Sequence, residues 1–378
     1  TTHNPIEGRH KRLSGGLFKD MMDLMHEYGY CEKRASVRDF YSRFDPIMLR
    51  CILDRMVKEE NINILFHAIV NKVETEQTAD NRKQMNVVYA QTKAGTILFK
   101  PKIVIDSTGD ADVVFHADGK VFMGREEDNL VQPATLMFRM GNLGLFAPKR
   151  RGIARRVLEE KKNGNKLTPR DDCLMFMGRT PKERHFNQTR VAGYDFTDPF
   201  ELTEAELDGR EQAERFIQFL RKKVPGYKNS IVLNMGTQIG IRETRRIEGE
   251  YILNEEDIIN VKIFKDRIAL GNYPIDIHDP KGSAKTIIKR IPKGKWYSIP
   301  FRSLIPINFD NCLVAGRPIS STHIAHSAIR IMPICSTIGH AAGVAAGIKL
   351  KRFKNTAFKD IEIKQVQKIL REQGAILD

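Results

Sequence analysis

Several histidines and one arginine have the residue types and spacing for proton transfer and anion binding. His323, His326 and Arg330 lie three and four residues apart in a polar stretch near the C-terminus. An imidazole exchanges protons near neutral pH, and a guanidinium binds carboxylates. His278 follows Asp276 in the stretch YPIDIH, so a carboxylate could orient this imidazole as a general base. We predict catalytic roles for these four residues, and an ordinary loop histidine is the alternative for His278.

Arginines elsewhere in the chain could anchor an anionic substrate. The segment IGIRETRRIEGEY carries Arg242, Arg245 and Arg246, which together could clamp a carboxylate. The alternative is salt bridging to the acidic residues of the same segment, which are Glu243, Glu248 and Glu250. Arg302, in the strand-like IPFRSL, is a further candidate ligand for an anion and completes the predicted catalytic set.

The elements that position these groups are clearest between residues 311 and 348. The pattern predicts a buried strand from Cys312 to Ala315, a Gly-Arg-Pro turn, a polar loop and a helix that starts near Pro333. The helix carries three glycines on one face, at Gly339, Gly343 and Gly347. Glycine costs about 1 kcal/mol against alanine inside a helix. The stripe therefore predicts a very close approach of the helix backbone to a sheet, a flat cofactor or both.

The start of that helix offers free N–H groups and a positive dipole end, which suit a phosphate or a ring carbonyl. Cys335 would lie in the first turn, where the dipole could lower its thiol pKa. A buried small residue is the alternative reading of this cysteine.

A second buried strand is predicted in the sequence VIDSTGDAD of residues 104–112. It ends in a turn whose residues could bind a ligand. The turn Thr-Gly-Asp places a hydroxyl, a flexible backbone and a carboxylate at the carboxyl end of the strand, where α/β sheets bind ligands. The same three residues are also ordinary turn formers, so a plain connection is the alternative.

The remaining pattern gives the domain organisation. Helices are predicted over 15–29, after Asp45-Pro46, within 149–166, and from a capping box at Thr203 and Glu206 to about Val224. Strands are predicted over 62–70, 85–92 and 96–100 as a meander, and over 131–141. We predict an α/β fold with a discontinuous Rossmann-like domain (1–125 and 296–378) and an inserted α+β substrate domain (126–295).

Composition excludes several classes of protein. The 378 residues carry a net charge of +15, and five widely spaced cysteines match no disulfide framework, zinc site or iron–sulfur cluster. We therefore expect no metal and a reducing cytoplasmic location. The glycine-striped helix is too polar and alanine-rich for a membrane span, so we expect no membrane partner.

Eight motifs in order resemble a family of bacterial FAD-dependent oxidoreductases with the glutathione-reductase-type FAD fold. The motifs are VIDSTGDAD, VQPATLMFRMGN, GREQAERFIQFLRKKVPGY, IGIRETRRIEGEYIL, YPIDIH, IPFRSLIP, NCLVAGRPIS and MPICSTIGHAAGVAA. The resemblance runs from about Gly15 to Gly347 and is specific for the family rather than for a substrate.

The resemblance implies FAD as cofactor and a set of residues that hold it. The resemblance places Ile69 and Val70 at the adenine, and Thr108, Gly109 and Asp110 in the second flavin-binding motif. It places Ala315, Gly316 and Arg317 along the ribityl chain and pyrophosphate, and Gly339 and Gly343 on the helix that faces the flavin ring. The family has glutamine where this chain has His340.

One family feature is absent from the sequence given, which contains no G-x-G-x-x-G turn. In the family that turn belongs to a first βαβ unit, which would precede Thr1 and span roughly 40 to 60 residues. We therefore expect this chain to retain FAD poorly or not at all.

The resemblance implies hydride transfer between the flavin and a small organic substrate, with an electron acceptor that the sequence does not identify. Two alternatives stay open. One is a flavoprotein associated with tRNA, suggested by the net charge of +15, although we do not expect nucleic acid as the partner. The other is a truncated, non-catalytic or partner-dependent subunit. A homo-oligomer is compatible with either.

Overall fold

A computed structural model describes residues 3–6, 9–32, 43–283, 286–352 and 356–378. By its internal contacts the chain forms two compact units. The first unit comprises Thr1–Met123, Arg245–Asp276 and Ile288–Asp378, and the second comprises Gly124–Thr244 and Ile277–Ile287.

The described chain combines α-helices with β-strands. The α-helices are α1 (Leu17–Glu27), α2 (Pro46–Glu59), α3 (Asp112–His116), α4 (Arg150–Lys162), α5 (Pro199–Lys223), α6 (Glu255–Ile259), α7 (His323–Ile329), α8 (Met332–Arg352) and α9 (Ile363–Glu372). The strands are β1 (His3–Ile6), β2 (Arg9–Arg12), β3 (Ile69–Gln77), β4 (Lys83–Thr92), β5 (Gly95–Phe99), β6 (Val104–Asp106), β7 (Val121–Met123), β8 (Phe138–Gly141), β9 (Met175–Met177), β10 (Arg184–Phe186), β11 (Ile231–Met235), β12 (Arg245–Ile247), β13 (Arg267–Gly271), β14 (Ile275–His278), β15 (Thr286–Lys289), β16 (Tyr297–Pro300) and β17 (Cys312–Val314).

The first unit is organised around a parallel pair of strands. β6 pairs with β17 in the register Val104 with Cys312 and Asp106 with Val314, which joins two separated segments of the first unit in one sheet. The predicted meander is present as the antiparallel sheet β3-β4-β5. Helix α8 packs against β13, α1 and α9 through its buried residues.

The boundary of the inserted unit differs from the one that the sequence indicates. Residues 245–276 and 288–295 group with the first unit rather than with the predicted insertion of 126–295. The reason is strand pairing, because β12 pairs with β7 and β13 pairs with β16. Within the predicted segment of basic and acidic residues, Arg242 therefore falls in the second unit, and Arg245 and Arg246 fall in the first.

The second unit is built on a four-stranded antiparallel sheet in the order β11-β8-β10-β9. One face of this sheet is buried, and its core is aromatic. The rings of Phe138 and Phe186 stack with centroids 5.1 Å apart, and Phe216 from α5 meets Phe186 edge-on at 5.8 Å. Helix α5 thus covers this face of the sheet.

Several predicted elements have different bounds in the structure. Helix α2 begins as predicted, since the Asp45 carboxylate accepts from the N–H groups of Ile47 and Met48. The strand predicted over 62–70 is wrong for residues 62–68, because ladder pairing starts only at Ile69. The strand predicted over 131–141 is confined to β8.

The predicted capping box at the start of α5 is also wrong. Asp198 is the N-cap, with its carboxylate accepting from the N–H groups of Phe200 and Glu201, and Pro199 occupies the first turn. Thr203 lies inside the helix, where its hydroxyl donates to the Pro199 carbonyl.

Among the described residues no single helix meets the length and hydropathy of a membrane span; only α7 and α8 taken together do, across a bend of 93°. The described part of the chain also contains no group of three or more potential metal ligands. All five cysteines are free thiols.

Candidate functional site

A buried carboxylate shapes the turn at the end of β6. Asp106 Oδ1 accepts from the Thr108 N–H at 3.0 Å and from the Thr108 hydroxyl at 2.8 Å, and Oδ2 accepts from the Val114 N–H at 3.1 Å. The Thr108 hydroxyl in turn accepts from the Asp112 N–H at 3.0 Å. The buried Asp106 carboxylate therefore fixes the turn Thr108–Asp110. The sequence analysis did not predict this role for Asp106.

Arg317, from the turn after β17, closes over this same loop. Its Nη2 donates to Asp110 Oδ1 at 2.5 Å. Gly109 has φ +88°, and a Cβ added there would lie 3.0 Å from Arg317 Cζ. The glycine is needed for both reasons, since a side chain would be strained and would push on the guanidinium. The structure thus brings together Thr108, Gly109, Asp110 and Arg317, four of the residues predicted to bind cofactor.

Arg245, predicted as a substrate anchor, joins the opposite side of the turn. Its Nε donates to the Asp110 carbonyl at 2.9 Å and its Nη2 donates to Asp112 Oδ1 at 2.6 Å. Its guanidinium also lies 4.2 Å from the ring centroid of Phe115. Burial raises the pKa of Asp112, Arg245 lowers it, and the carboxylates of Asp110 and Asp106 raise it further. Arg245 therefore offsets charge repulsion among three aspartates and is engaged with the loop itself.

The glycine face of α8 is open rather than packed against a sheet. A Cβ added at Gly339, Gly343 or Gly347 would have no protein atom within 4 Å apart from the helix's own backbone and chain neighbours. Gly339 and Gly343 are exposed, whereas Ile338, Ala341 and Ala342 on other faces are buried. The prediction that the stripe packs closely on a sheet is wrong for the described residues. The predicted approach to a flat cofactor stays a prediction.

His340 does not share the open glycine face. It is buried, and its Nε2 hydrogen-bonds to Gln373 Oε1 at 2.7 Å. Gly16, with φ +54°, lies against the other side of the ring, so a Cβ there would come 2.6 Å from His340 Cε1. The imidazole therefore joins α8 to the segment before α1 and to the end of α9.

A family model described as FAD dependent oxidoreductase matches residues 1–370. The chain belongs to the FAD-dependent oxidoreductase family. No curated protein matches the sequence. A solved structure, p-nitrophenol 4-monooxygenase PnpA from Pseudomonas putida DLL-E4, is similar at 10% identity with a TM-score of 0.34. The alignment covers 88% of this chain, and the chain spans 58% of the length of that protein.

FAD is the cofactor of this family, and the residues at the strand ends fit a flavin nucleotide. Arg317 Nε is buried and has no hydrogen-bond partner among the described residues. A buried donor of this kind suits an anionic oxygen, such as one of a pyrophosphate. Beside it, Gly316 has φ +88° and open space, since an added Cβ would meet only Pro318 Cδ at 3.9 Å. Ala315 donates its N–H to the Asp106 carbonyl at 2.9 Å, which holds this turn next to the first one.

Ile69 and Val70, predicted near the adenine, open strand β3. They pair with Gln91 and Ala90 of β4, and a bulge follows before Lys72. Ile69 is 73% exposed, so its side chain is available for a ligand contact. Their role in cofactor binding stays a prediction.

The two histidines that the sequence predicts to act as acid and base near the C-terminus lie in a helix and not in a loop. His323 and His326 belong to α7, which the Thr322 hydroxyl caps by accepting from the Ala325 N–H. His323 is 9% and His326 is 1% exposed. A catalytic role for either one therefore requires that a substrate reach a buried imidazole.

Arg330 follows α7 and contributes to the charge around the start of α8. Burial raises the pKa of Cys335 to about 11, and the charges of Arg317 and Arg330 only partly oppose this. The predicted lowering of the Cys335 pKa is therefore wrong. The two arginines nevertheless act on the same first turn, which gives this end of α8 a positive environment.

Two further predicted anion ligands are engaged with protein groups. Arg302 Nε donates to Asp266 Oδ2 at 2.9 Å, and the pKa of Arg302 is raised by this carboxylate. Its guanidinium also lies 5.0 Å from the Tyr251 ring centroid. Arg246 is buried and its Nε donates to the Ser321 carbonyl at 2.9 Å. Both contacts join separate segments of the chain.

The remaining predicted residues lie in the second unit. Arg242 donates to the Pro133 carbonyl and, at 3.4 Å, to Asn187 Oδ1. His278 is buried, and its Nδ1 lies 3.2 Å from Arg190 Nη2. The Asp276 carboxylate accepts from the Tyr273 hydroxyl at 2.9 Å. The orientation of His278 by Asp276 stays a prediction. The predicted clamp of Arg242, Arg245 and Arg246 is thus divided among separate contacts.

Proposed function

We propose that this chain is an oxidoreductase that binds FAD at the carboxyl ends of β6 and β17 and transfers hydride between the flavin and a small organic substrate. The observation that carries the proposal is Arg317, which holds a buried, unpartnered Nε beside two left-handed glycine turns. Ligands of α/β sheets bind at the carboxyl ends of parallel strands, where both turns lie. The family assignment supplies FAD as the ligand.

Each residue of the strand-end cluster has a distinct task in this proposal. Arg317 would bind an anionic oxygen of the nucleotide, while Asp110 holds the guanidinium in place. Asp106 fixes the Thr108 turn so that its backbone can approach the cofactor closely. The open face at Gly339 and Gly343 would lie along the flavin. When bound there, FAD supplies a two-electron acceptor.

A titration of the purified chain with FAD, followed by flavin fluorescence up to millimolar concentration, tests the binding site. Arg317→Met should weaken binding at least tenfold, about 1.4 kcal/mol, because an anionic oxygen loses its charged donor. Arg302→Met is the matched control, since that arginine is paired with Asp266 in the same unit. Equal affinity for FAD in Arg317→Met and wild type would contradict the proposal.

The redox step is tested separately, with protein that has been loaded with FAD. Anaerobic mixing with a panel of alcohols, amines and hydroxy acids should bleach the flavin absorbance near its visible maximum with at least one class. The absence of bleaching across the panel would count against hydride acceptance while leaving the FAD site in place.

A further inference from the structure

A turn in the second unit carries two large apolar side chains at its corners. The Ala147 N–H donates to the Gly144 carbonyl at 3.0 Å, which closes a turn with Leu145 and Phe146 in the middle. Leu145 is 89% and Phe146 is 88% exposed, the highest values among the large apolar residues that the structure describes. Glycine, proline, asparagine, aspartate and serine usually occupy such corners. Turn chemistry therefore does not account for these two side chains. We call the turn 144–147 the apolar tip.

Backbone contacts hold the base of the apolar tip in place. The Leu143 N–H donates to the Lys182 carbonyl at 3.2 Å, and the Gly144 N–H donates to the Gly226 carbonyl at 2.9 Å. Gly226 has φ +79°, and a Cβ added there would come 2.8 Å from Ala147 Cα. The turn after α5 thus touches the base of the tip directly. The tip is a fixed projection of the second unit.

Basic side chains surround this base. Lys149 and Arg151 follow the tip in the chain, and Lys182 supplies one of the carbonyls that hold it. Two further lysines lie four residues before and two residues after Gly226. The basic side chains that are exposed and have no ion pair among the described residues are Lys149, Arg151, Lys182, Lys222 and Lys228.

Three carboxylates of the same region are paired with other cations. The pairs are Glu183 with Arg139 at 3.1 Å, Asp172 with Arg150 at 2.9 Å and Glu160 with Lys223 at 3.7 Å. These carboxylates therefore do not neutralise the five basic side chains around the tip. The surface combines a projecting apolar pair with uncompensated positive charge.

This combination favours a lipid bilayer over a protein as the partner. A protein would have to cover about 800 Å² and provide a pocket for each projecting side chain. A bilayer accepts leucine and phenylalanine at the boundary of its acyl chains without a matching pocket, and its anionic headgroups attract lysine and arginine. The net charge of +15 acts in the same direction.

We infer that the apolar tip docks the second unit on the surface of an anionic lipid bilayer, with Leu145 and Phe146 inserted and the five basic side chains at the headgroups. The expectation of no membrane partner concerned a spanning helix, and a surface contact requires none. The inference is independent of the FAD site, because all the residues that carry it lie in the second unit.

Flotation of the full chain with lipid vesicles tests the docking. Vesicles that contain about 30% phosphatidylglycerol in phosphatidylcholine should bind the protein at least tenfold more tightly than vesicles of phosphatidylcholine alone. Raising the salt concentration from about 0.05 to about 0.5 M should weaken the binding, because headgroup attraction is screened. Absence of binding to the anionic vesicles, or equal binding to both kinds, would overturn the inference.

The apolar contribution is tested with Leu145→Ser and Phe146→Ser combined in one chain. The double variant should bind anionic vesicles at least tenfold more weakly, about 1.4 kcal/mol, because both inserted side chains are lost. Phe200→Ser is the matched control. Phe200 is 81% exposed, but it lies at the other end of the 25-residue helix α5, between Asp198 and Glu201 and their neighbours. An equal loss in the control would contradict insertion of the tip.

The charge contribution is tested with Lys149→Gln and Arg151→Gln combined. This variant should weaken binding to anionic vesicles at least fivefold, because two cations leave the headgroup region. Lys162→Gln with Lys166→Gln removes the same charge from exposed positions at and beyond the other end of α4 and should have a smaller effect. Equal effects would show a general attraction of the basic chain and would overturn the assignment to the tip.

Insertion is read directly from an indole placed at the tip. In Phe146→Trp, lipids brominated on their acyl chains should quench the added fluorescence, whereas in Phe200→Trp they should not. Binding without quenching at position 146 would contradict insertion. Sedimentation equilibrium without vesicles checks the alternative occupant. A dimer that the Leu145→Ser and Phe146→Ser double variant converts to monomer would assign the tip to a second copy of the chain and overturn the inference.

Discussion

Arg317 donates to the carboxylate of Asp110 at 2.5 Å and thereby closes over the backbone of Gly109. The two partners come from positions more than two hundred residues apart, and the parallel pairing of β6 with β17 places them side by side. A partly exposed ion pair of this kind adds little stability by itself. Its value lies in holding a guanidinium beside two glycine turns with positive φ.

Gly109→Ala should lower the free energy of unfolding more than Gly316→Ala. Both glycines have φ +88°, so each substitution costs about 1–2 kcal/mol of backbone strain. Only at Gly109 does the methyl group meet the Arg317 guanidinium, which should add about 1 kcal/mol. Urea unfolding of the two variants measures the difference. Equal losses would show that the guanidinium moves aside without cost.

Asp106→Asn should destabilise the protein by about 1–3 kcal/mol, because an amide N–H₂ would then face the Val114 N–H donor in a fully buried position. Asp110→Asn is the control, since it removes the same charge from a partly exposed site in the same turn. Thermal or urea unfolding provides the measurement. A loss no larger than that of Asp110→Asn would argue against the turn-fixing role of Asp106.

The sequence predicts the start of a helix well where a single N-cap side chain determines it. Asp45-Pro46 marks the start of α2 as expected, and Asp198-Pro199 marks α5 in the same way. The pair Thr203 and Glu206 satisfies a capping-box pattern one turn later, although the helix begins at Pro199. Two overlapping signals of similar strength cannot be ranked from sequence alone.

Contacts that depend on strand register could not be predicted. His185 lies in a three-residue strand, which is too short for periodicity to show which face it takes. Its neighbours Arg139 and Phe176 become visible only through pairing with β8 and β9. The strand-end cluster was easier, because Thr108 to Asp110 and Ala315 to Arg317 each follow a recognisable buried strand. Their common partner Asp106 is the last residue of β6, where aspartate is an ordinary turn former, so it carries no separate signal.

Gly343→Ala should increase stability while it weakens FAD binding. Alanine gains up to about 1 kcal/mol over glycine in a helix, and the new Cβ would meet no protein atom within 4 Å. If the open face lies along the flavin, the same methyl group should reduce FAD affinity, and the effect should fade from Gly339 to Gly347. Unfolding of the FAD-free variants and FAD titration provide both readouts. Stabilised variants with unchanged FAD affinity would place the flavin elsewhere.

Protonation of His185 should make folding stability fall as the pH drops below 6.5. The folded-state pKa of this histidine lies below its ordinary value of 6.5, first because of burial and then because of Arg139. Over the interval between the two values the unfolded chain binds more protons than the folded chain, so stability rises with pH there. His185→Gln should remove this component. Arg139→Met should reduce it, because one of the two causes is lost. Urea unfolding of the three proteins above and below pH 6.5 measures the slopes, and parallel slopes for wild type and His185→Gln would refute the assignment.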